Sequence, residues 1–214
     1  MNAKAHAAAL REAQHALAAA DPLMRALIAR HGPCRLKPHW RRGPYEALVR
    51  AVMHQQVHGR AAEAILRRFM ALSASEPFPA PASVMNLPEE ALRAAGLSWQ
   101  KVSYVRAIAA AAIDGTVPVR RRDLLALDDE AIIARLIQVR GVGRWTVEML
   151  LIFTLGRLDV LPVDDFGVRA GFVGGSGDRE AVTPRELRVI GERWAPYRSV
   201  AAWYLWRATE DVGD

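Results

Sequence analysis

Helix start and stop signals punctuate this chain from end to end, leaving no stretch that reads as a β-sheet. Asp21-Pro22 reads as an N-cap followed by proline at the first helical position, and Gly32 reads as the stop. From Pro44, the residues Leu48, Val49, Val52 and Met53 recur at helical spacing. A further helix, roughly Arg60 to Leu72, carries Ala64, Ile65, Leu66 and Phe69. Pro88 to Ala95 is a short helix stopped by Gly96. Ser98 then caps a longer one through Ile113, and Asp128 caps another that ends near Gln138. Thr183-Pro184-Arg185-Glu186 has the capping-box pattern, and Tyr197 to Thr209 reads as the last helix. Ser73 to Pro81 holds three prolines and reads as a loop. No alternating strand pair is joined by an Asn-Gly or Asp-Gly turn. The expected fold is all-α. No Gly/Ser-rich linker or tandem repeat divides residues 1–214, so a compact, bilobed helical bundle with a cleft between its lobes is expected.

Composition narrows the chemistry. The 214 residues are 51% hydrophobic and 24% charged, enough for a sizeable core in a soluble protein. The apolar run Met149 to Leu155 is too short to span a bilayer. Arg11, Glu12 and His15 break the alanine-rich start, so it does not read as a signal peptide, and a cytoplasmic location is expected, at the nucleoid if the source is bacterial. Cys34 is the single cysteine, which excludes an internal disulfide, an iron–sulfur cluster or a cysteine-based zinc site. All six histidines lie at or before His58; His54 and His58 stand four positions apart, but no His-Glu-x-x-His pattern occurs and a dedicated transition-metal site is not expected. The net charge of +6 is carried by 26 arginines against only Lys4, Lys37 and Lys101. A basic chain fits a polyanionic partner but does not single one out, although arginine suits bidentate contact with phosphate.

The informative stretch is 136–172. It opens with the end of a helix and the tight turn Val139-Arg140-Gly141-Val142-Gly143, followed by a second helix from about Arg144 to Leu155. Glycines there allow a sharp reversal and close approach by another backbone, and the second helix turns its free N–H groups toward the turn. The hairpin spans about 129–155 and is either a phosphate clamp or a plain αα-corner. After it comes Leu161-Pro162-Val163-Asp164-Asp165-Phe166, an acidic pair before a new helix. One aspartate can serve as N-cap; two exceed what capping requires. On a chain built to meet phosphates, a carboxylate weakens binding and so points to chemistry.

This stretch resembles the helix-hairpin-helix/Gly-Pro-Asp signature of the base-excision DNA glycosylases, and in detail the branch that releases alkylated purines. Three further blocks carry the resemblance. Tyr45 to Val57, which contains Gln55-Gln56, is similar to the family's helix ending in Gln-Gln. Gly96-Leu97-Ser98 with Lys101 is similar to a family turn, and Trp194 to Ser199 through Trp206 is similar to its C-terminal helix. Together they cover about residues 44–208.

The resemblance implies that duplex DNA containing damaged bases is the partner, bound by a monomer. It also implies that a purine such as 3-methyladenine is flipped out and its glycosidic bond hydrolysed. Asp165 is implied to stabilise the positive charge that develops on the deoxyribose and to orient the attacking water, with Asp164 as its neighbour and a candidate cap. Trp145 and Trp206 are implied to line the base pocket; a cationic base favours such rings. Core packing is the competing role for Trp145. Tyr204 and Trp203 flank Trp206, but adjacent helical positions face apart. Gly141, Gly143 and Arg144 are implied to hold the DNA backbone. Gln56, with His58 second, is implied to fill the gap left by the flipped base; a polar helix end is the plain alternative for the glutamines. No cofactor is required, and the resemblance implies a structural Na+ or K+ on the backbone carbonyls of Ile137, Val139 and Val142. Relatives with lyase activity carry a lysine where Trp145 stands, so a purely hydrolytic enzyme is implied. An N-terminal β-rich lobe found in some bacterial relatives is not expected ahead of residue 44, and the glycine-rich stretch Gly171 to Asp178 departs from the family pattern.

Two alternatives stay open at this stage. One is a glycosylase for an oxidised or deaminated base. The other is a non-catalytic helix-hairpin-helix DNA-binding protein, for which an acidic pair beside the clamp has no purpose.

Overall fold

The computed structural model describes residues 3–57, 59–73, 76–177 and 181–210. Among them there are helices and no strand, as the helix punctuation requires. The helices are α1 (Ala3–Ala20), α2 (Pro22–His31), α3 (Pro44–His54), α4 (Gly59–Ala71), α5 (Pro81–Asn86), α6 (Glu89–Ala94) and α7 (Trp99–Ile113). They continue with α8 (Asp129–Leu136), α9 (Arg144–Leu150), α10 (Phe166–Ser176), α11 (Pro184–Ile190) and α12 (Arg198–Glu210). The chain divides into two compact units, one formed by 1–38 with 151–214 and the other by 39–150.

In the first unit α12 packs on α10, α2 and α1. α2 begins where its cap and proline place it: the Asp21 carboxylate accepts the Leu23 N–H at 2.7 Å, and Gly32 ends the helix at φ 69°. Tyr204 is fully buried and its hydroxyl donates to the Gly32 carbonyl at 2.9 Å, so this residue is core rather than pocket. Residues 171–176 of the glycine-rich stretch form the second half of α10 and Gly177 ends it, while Asp178 lies outside the described residues. A Cβ on Gly171 would overlap the Leu205 backbone carbonyl, so glycine here is the condition for α10 and α12 to pack so closely. The capping box opens α11 as expected, with Thr183 and Glu186 exchanging both bonds.

In the second unit α3 is central and packs on α4, α7 and α9, while α7 also receives α5 and α6. Its buried face is the periodic set Leu48, Val49, Val52 and Met53, each fully shielded from solvent. Burying one such side chain contributes roughly 1.5–3 kcal/mol. Two features were not foreseen. The proline-rich stretch ends one residue into a helix, because Pro81 supplies the first position of α5. The helix after the hairpin keeps α geometry only to Leu150; Leu151–Leu155 form a π turn, a widened turn that often marks functional sites. Among the described residues no helix is long and apolar enough to cross a membrane.

Candidate active site and nucleic-acid interface

Asp165 stands immediately before α10 with extended backbone (φ −69°, ψ 124°) and is its N-cap: Oδ1 accepts the Val168 N–H at 2.8 Å. The same oxygen accepts the indole Nε1–H of Trp206 at 2.9 Å. Asp165 therefore takes the capping role itself, while Asp164, the candidate cap, is an exposed neighbour. A capping bond fixes the side-chain torsions near the backbone, and the indole adds a second donor from α12. The result is a half-buried carboxylate held in one orientation.

Trp206 is in turn held from several sides. Its ring lies 5.5 Å from that of Phe153, tilted by 32°, and Phe153 is carried by the π turn. α12 is anchored at its start, where Arg198 donates Nε and Nη2 to the two oxygens of Asp159 at 2.7 and 2.8 Å. Next to it, Ser199 N donates to the Leu158 carbonyl at 2.9 Å, and the Ser199 hydroxyl accepts from Val160 N at 2.9 Å. Burial pushes the Asp159 carboxyl up, but the Arg198 hydrogen bonds outweigh it and hold the group below its ordinary range. The Trp194 to Ser199 block thus has a physical role: it seats the helix that brings Trp206 to Asp165.

The other residues singled out by the sequence belong to the second unit. α8 and α9 pack together and the chain reverses between them. Gly141 adopts φ 87°, a left-handed conformation that favours glycine, and a Cβ there would overlap the Tyr104 ring. Gly143 is different: a Cβ would meet nothing within 4 Å, so the space over this exposed backbone is open. The two glycines therefore divide the work, one making the corner and the other leaving access. Val142 N donates to the Val139 carbonyl at 3.0 Å, closing the turn. Val139 and Val142 are buried and Ile137 is exposed.

Arg144 begins α9, but its guanidinium is engaged. Both terminal nitrogens bond the Glu130 carboxylate, and Nε donates to Glu148 Oε1 at 3.1 Å. Hydrogen bonding from Arg144 holds the Glu130 carboxyl below its ordinary range. Any phosphate contact by this side chain would exchange with those acids. Trp145 follows it, half-buried.

The two glutamines after α3 separate into different roles. Gln55 Nε2 donates to Thr146 Oγ1 at 3.0 Å and to the Gly141 carbonyl at 3.3 Å, tying the end of α3 to the hairpin. Gln56 is exposed at φ 55°, the one positive φ on a non-glycine among the described residues. Such a conformation persists only where the surroundings enforce it. Lys101 Nζ helps by donating to the Met53 carbonyl at 2.8 Å, which accounts for lysine after the Gly96 turn. His58 lies outside the described residues.

Phe153 and Asp159 had no sequence signal, and the bonds made by Gln55 and Arg198, which lie in blocks the resemblance singled out, depend on partners distant along the chain.

A Gly-x-Gly hairpin between two helices, followed by an aspartate clamped at the start of the next one, defines a helical protein of the helix-hairpin-helix class. The chain belongs to the HhH-GPD superfamily of base excision DNA repair proteins, whose family model matches residues 49–196. It is 43% identical over 169 residues to DNA-3-methyladenine glycosylase 1 of Schizosaccharomyces pombe, covering 78% of this chain and 73% of that one. It is 32% identical over 198 residues to the alkylbase DNA glycosidase-like protein mag2 of the same yeast, covering 92% of each. The fold superposes with a TM-score of 0.86 on the S. pombe 3-methyladenine DNA glycosylase solved in complex with abasic DNA, at 38% identity and with 93% of this chain and 97% of that one covered.

Proposed function

We propose that the protein is a DNA-3-methyladenine glycosylase. It binds damaged duplex DNA, turns out an alkylated purine and hydrolyses its N-glycosidic bond, starting base excision repair. The observation that carries this reading is the Asp165 carboxylate, fixed at Oδ1 by both Val168 N and Trp206 Nε1. In the reaction the electrons of the C1′–N bond pass to the departing base and cancel its positive charge. The sugar becomes oxocarbenium-like, water adds at C1′ and a proton is released. A carboxylate already oriented toward that cation stabilises the transition state without reorganising. The family is one of base excision repair, which favours this reading over a DNA-binding protein without catalysis, and the two relatives are named for 3-methyladenine and alkylbase, which favours it over oxidised or deaminated lesions.

The remaining assignments are part of the same proposal. Trp206 stacks the flipped base, a role that the resemblance also gives Trp145. Gly143 lets the DNA backbone approach, with Gly141 shaping the corner and Arg144 contributing charge. Gln56 fills the vacated space in the duplex; its left-handed backbone and exposure support that role. A Na+ or K+, if bound, would be held by the backbone carbonyls of Ile137, Val139 and Val142 and would supply positive charge at the hairpin. Apolar side chains at all three positions leave only backbone oxygens as ligands, and the Val139 carbonyl keeps a second lone pair beyond the Val142 N–H. Hydrolysis without strand cleavage is supported by Trp145 at the lyase lysine's position and by the placing of Lys101 on the Met53 carbonyl.

Base release from methylated duplex DNA tests the reading, with the released bases identified by chromatography. The expected products are 3-methyladenine and an intact strand that breaks only after alkali. Release of no alkylated base would overturn the activity. A borohydride-trapped covalent adduct would overturn the hydrolytic mechanism.

A further inference from the structure

Gly167 is the second residue of α10, and nothing in its backbone demands glycine: the position is helical and its φ is not positive. Alanine is the better helix former at such a site. What excludes a side chain is space. A Cβ on Gly167 would lie 2.9 Å from Trp206 Cδ1, 3.2 Å from Asp165 Oδ1 and 3.4 Å from Trp206 Nε1. The nearest atoms are thus the two ends of the indole–carboxylate hydrogen bond and the ring carbon beside it. Neither end can easily give way. Oδ1 is tied to Val168 N by the cap, and the indole is backed by Phe153.

We propose that Gly167 is a positioning residue for base excision: its missing side chain is the space that lets Trp206 reach over the start of α10 and orient Asp165. The proposal rests on the glycosylase reading for its consequence, but not for the contact itself. A single methyl at Gly167 displaces the indole N–H from Oδ1 while leaving the cap, the charge of Asp165 and the DNA-binding hairpin unchanged. The carboxylate then loses the indole as a fixed donor. The expected result is a loss of the chemical step on the order of a hundredfold, the size associated with small misplacement of a catalytic group, without a matching loss in DNA affinity.

The test combines kinetics with a spectroscopic signature in Gly167→Ala, Trp206→Phe, Asp165→Ala and the Gly167→Ala/Trp206→Phe double variant of the full chain. Of the six indole N–H resonances, that of Trp206 is identified by its loss in Trp206→Phe. In Gly167→Ala it should move toward its position in Asp165→Ala, with the other five unmoved as evidence of an intact fold. Single-turnover excision should fall while affinity for an abasic-site duplex holds. Phenylalanine lacks the N–H and takes less room, so alanine should add no further loss in that background. An unmoved Trp206 resonance, an unchanged excision rate or an equal loss in the phenylalanine background would each overturn the proposal. If Gly167→Ala fails to fold, a folded double variant still locates the clash at Trp206, and an unfolded one overturns it. If the unaltered protein releases no base, the glycosylase reading has failed, and the resonance alone decides the Gly167 contact.

Discussion

Asp21 and Asp165 perform the same local task in the first unit. Each caps a helix, and each accepts an indole N–H from a tryptophan far along the chain, 173 positions away for Asp21 and 41 for Asp165. They differ in how the donors are shared. At Asp21 the Leu23 N–H falls on Oδ1 at 2.7 Å and the Trp194 indole on Oδ2 at 2.8 Å, and the residue is only 3% exposed. At Asp165 the Val168 N–H and the Trp206 indole both fall on Oδ1, and the residue is half-buried. One carboxylate is divided between its donors and sealed in. The other gathers both on one atom at a partly open position. The same Asp–Trp pairing thus serves a structural joint and, in the proposed reading, a catalytic group; exposure and the distribution of donors tell them apart.

Amide substitution separates the two most sharply, because an amide keeps one acceptor oxygen and replaces the other with a donor. Asp165→Asn can present its single carbonyl oxygen to both Val168 and Trp206, so the fold and DNA affinity should hold. Excision should fall on the order of a hundredfold or more, since the negative charge is gone. Asp164→Asn, exposed and without a capping role, should lose far less in the same assay. Full activity in Asp165→Asn would remove the functional half of the comparison.

Asp21→Asn should behave in the opposite way. A hydrogen-bond donor must now face an NH2 group in a buried site, and the Arg193 guanidinium 3.7 Å from Oδ2 loses its counter-charge, a cost of about 1–3 kcal/mol in stability measured by denaturant unfolding. Excision per folded molecule should be retained. An Asp21→Asn protein as stable as the parent would show that the buried joint tolerates an unpaired donor, and the structural half would fail.

The smallest expected effect concerns the seat of α12. The carboxyl of Asp159 is held below its ordinary range, so its contribution to stability is present at neutral pH and lost as pH falls through that depressed value. Arg198→Gln should remove this acid-side dependence and lower stability only slightly, because both side chains are about a third exposed. The two tryptophan joints diverge again here. Excision should decline in Arg198→Gln as Trp206 loses its anchor, whereas the Trp194–Asp21 bond does not pass through this pair. An unchanged pH dependence of unfolding would show that the pair adds nothing.

Much of the architecture was legible in the sequence because its determinants are local. Asp21-Pro22, Ser98, Asp128 and the Thr183–Glu186 box each satisfy backbone groups within four residues, and all of them open helices in the structure. The π turn was not legible, nor was the start of α5 at the end of a proline-rich run, since competing helical geometries differ little in local preference. At the site, the sequence singled out Asp165, Trp206 and the Gly141–Gly143 turn by resemblance to a family pattern. It could not show that Asp165 is cap and indole acceptor at once, that Arg144 is engaged by Glu130 and Glu148, or that Gln55 and Gln56 divide their roles.

By itself, then, the sequence determined an all-helical chain, the starts of its capped helices, and the family to which it belongs. Tertiary structure alone decided what each site residue touches. The Trp206 indole reaches Asp165 because Gly171 lets α12 lie close against α10 and Gly167 leaves room beside the carboxylate. The physical reason is range. Capping and periodicity act over one turn of chain, whereas the orientation of a carboxylate depends on packing between helices that meet only when the chain is folded.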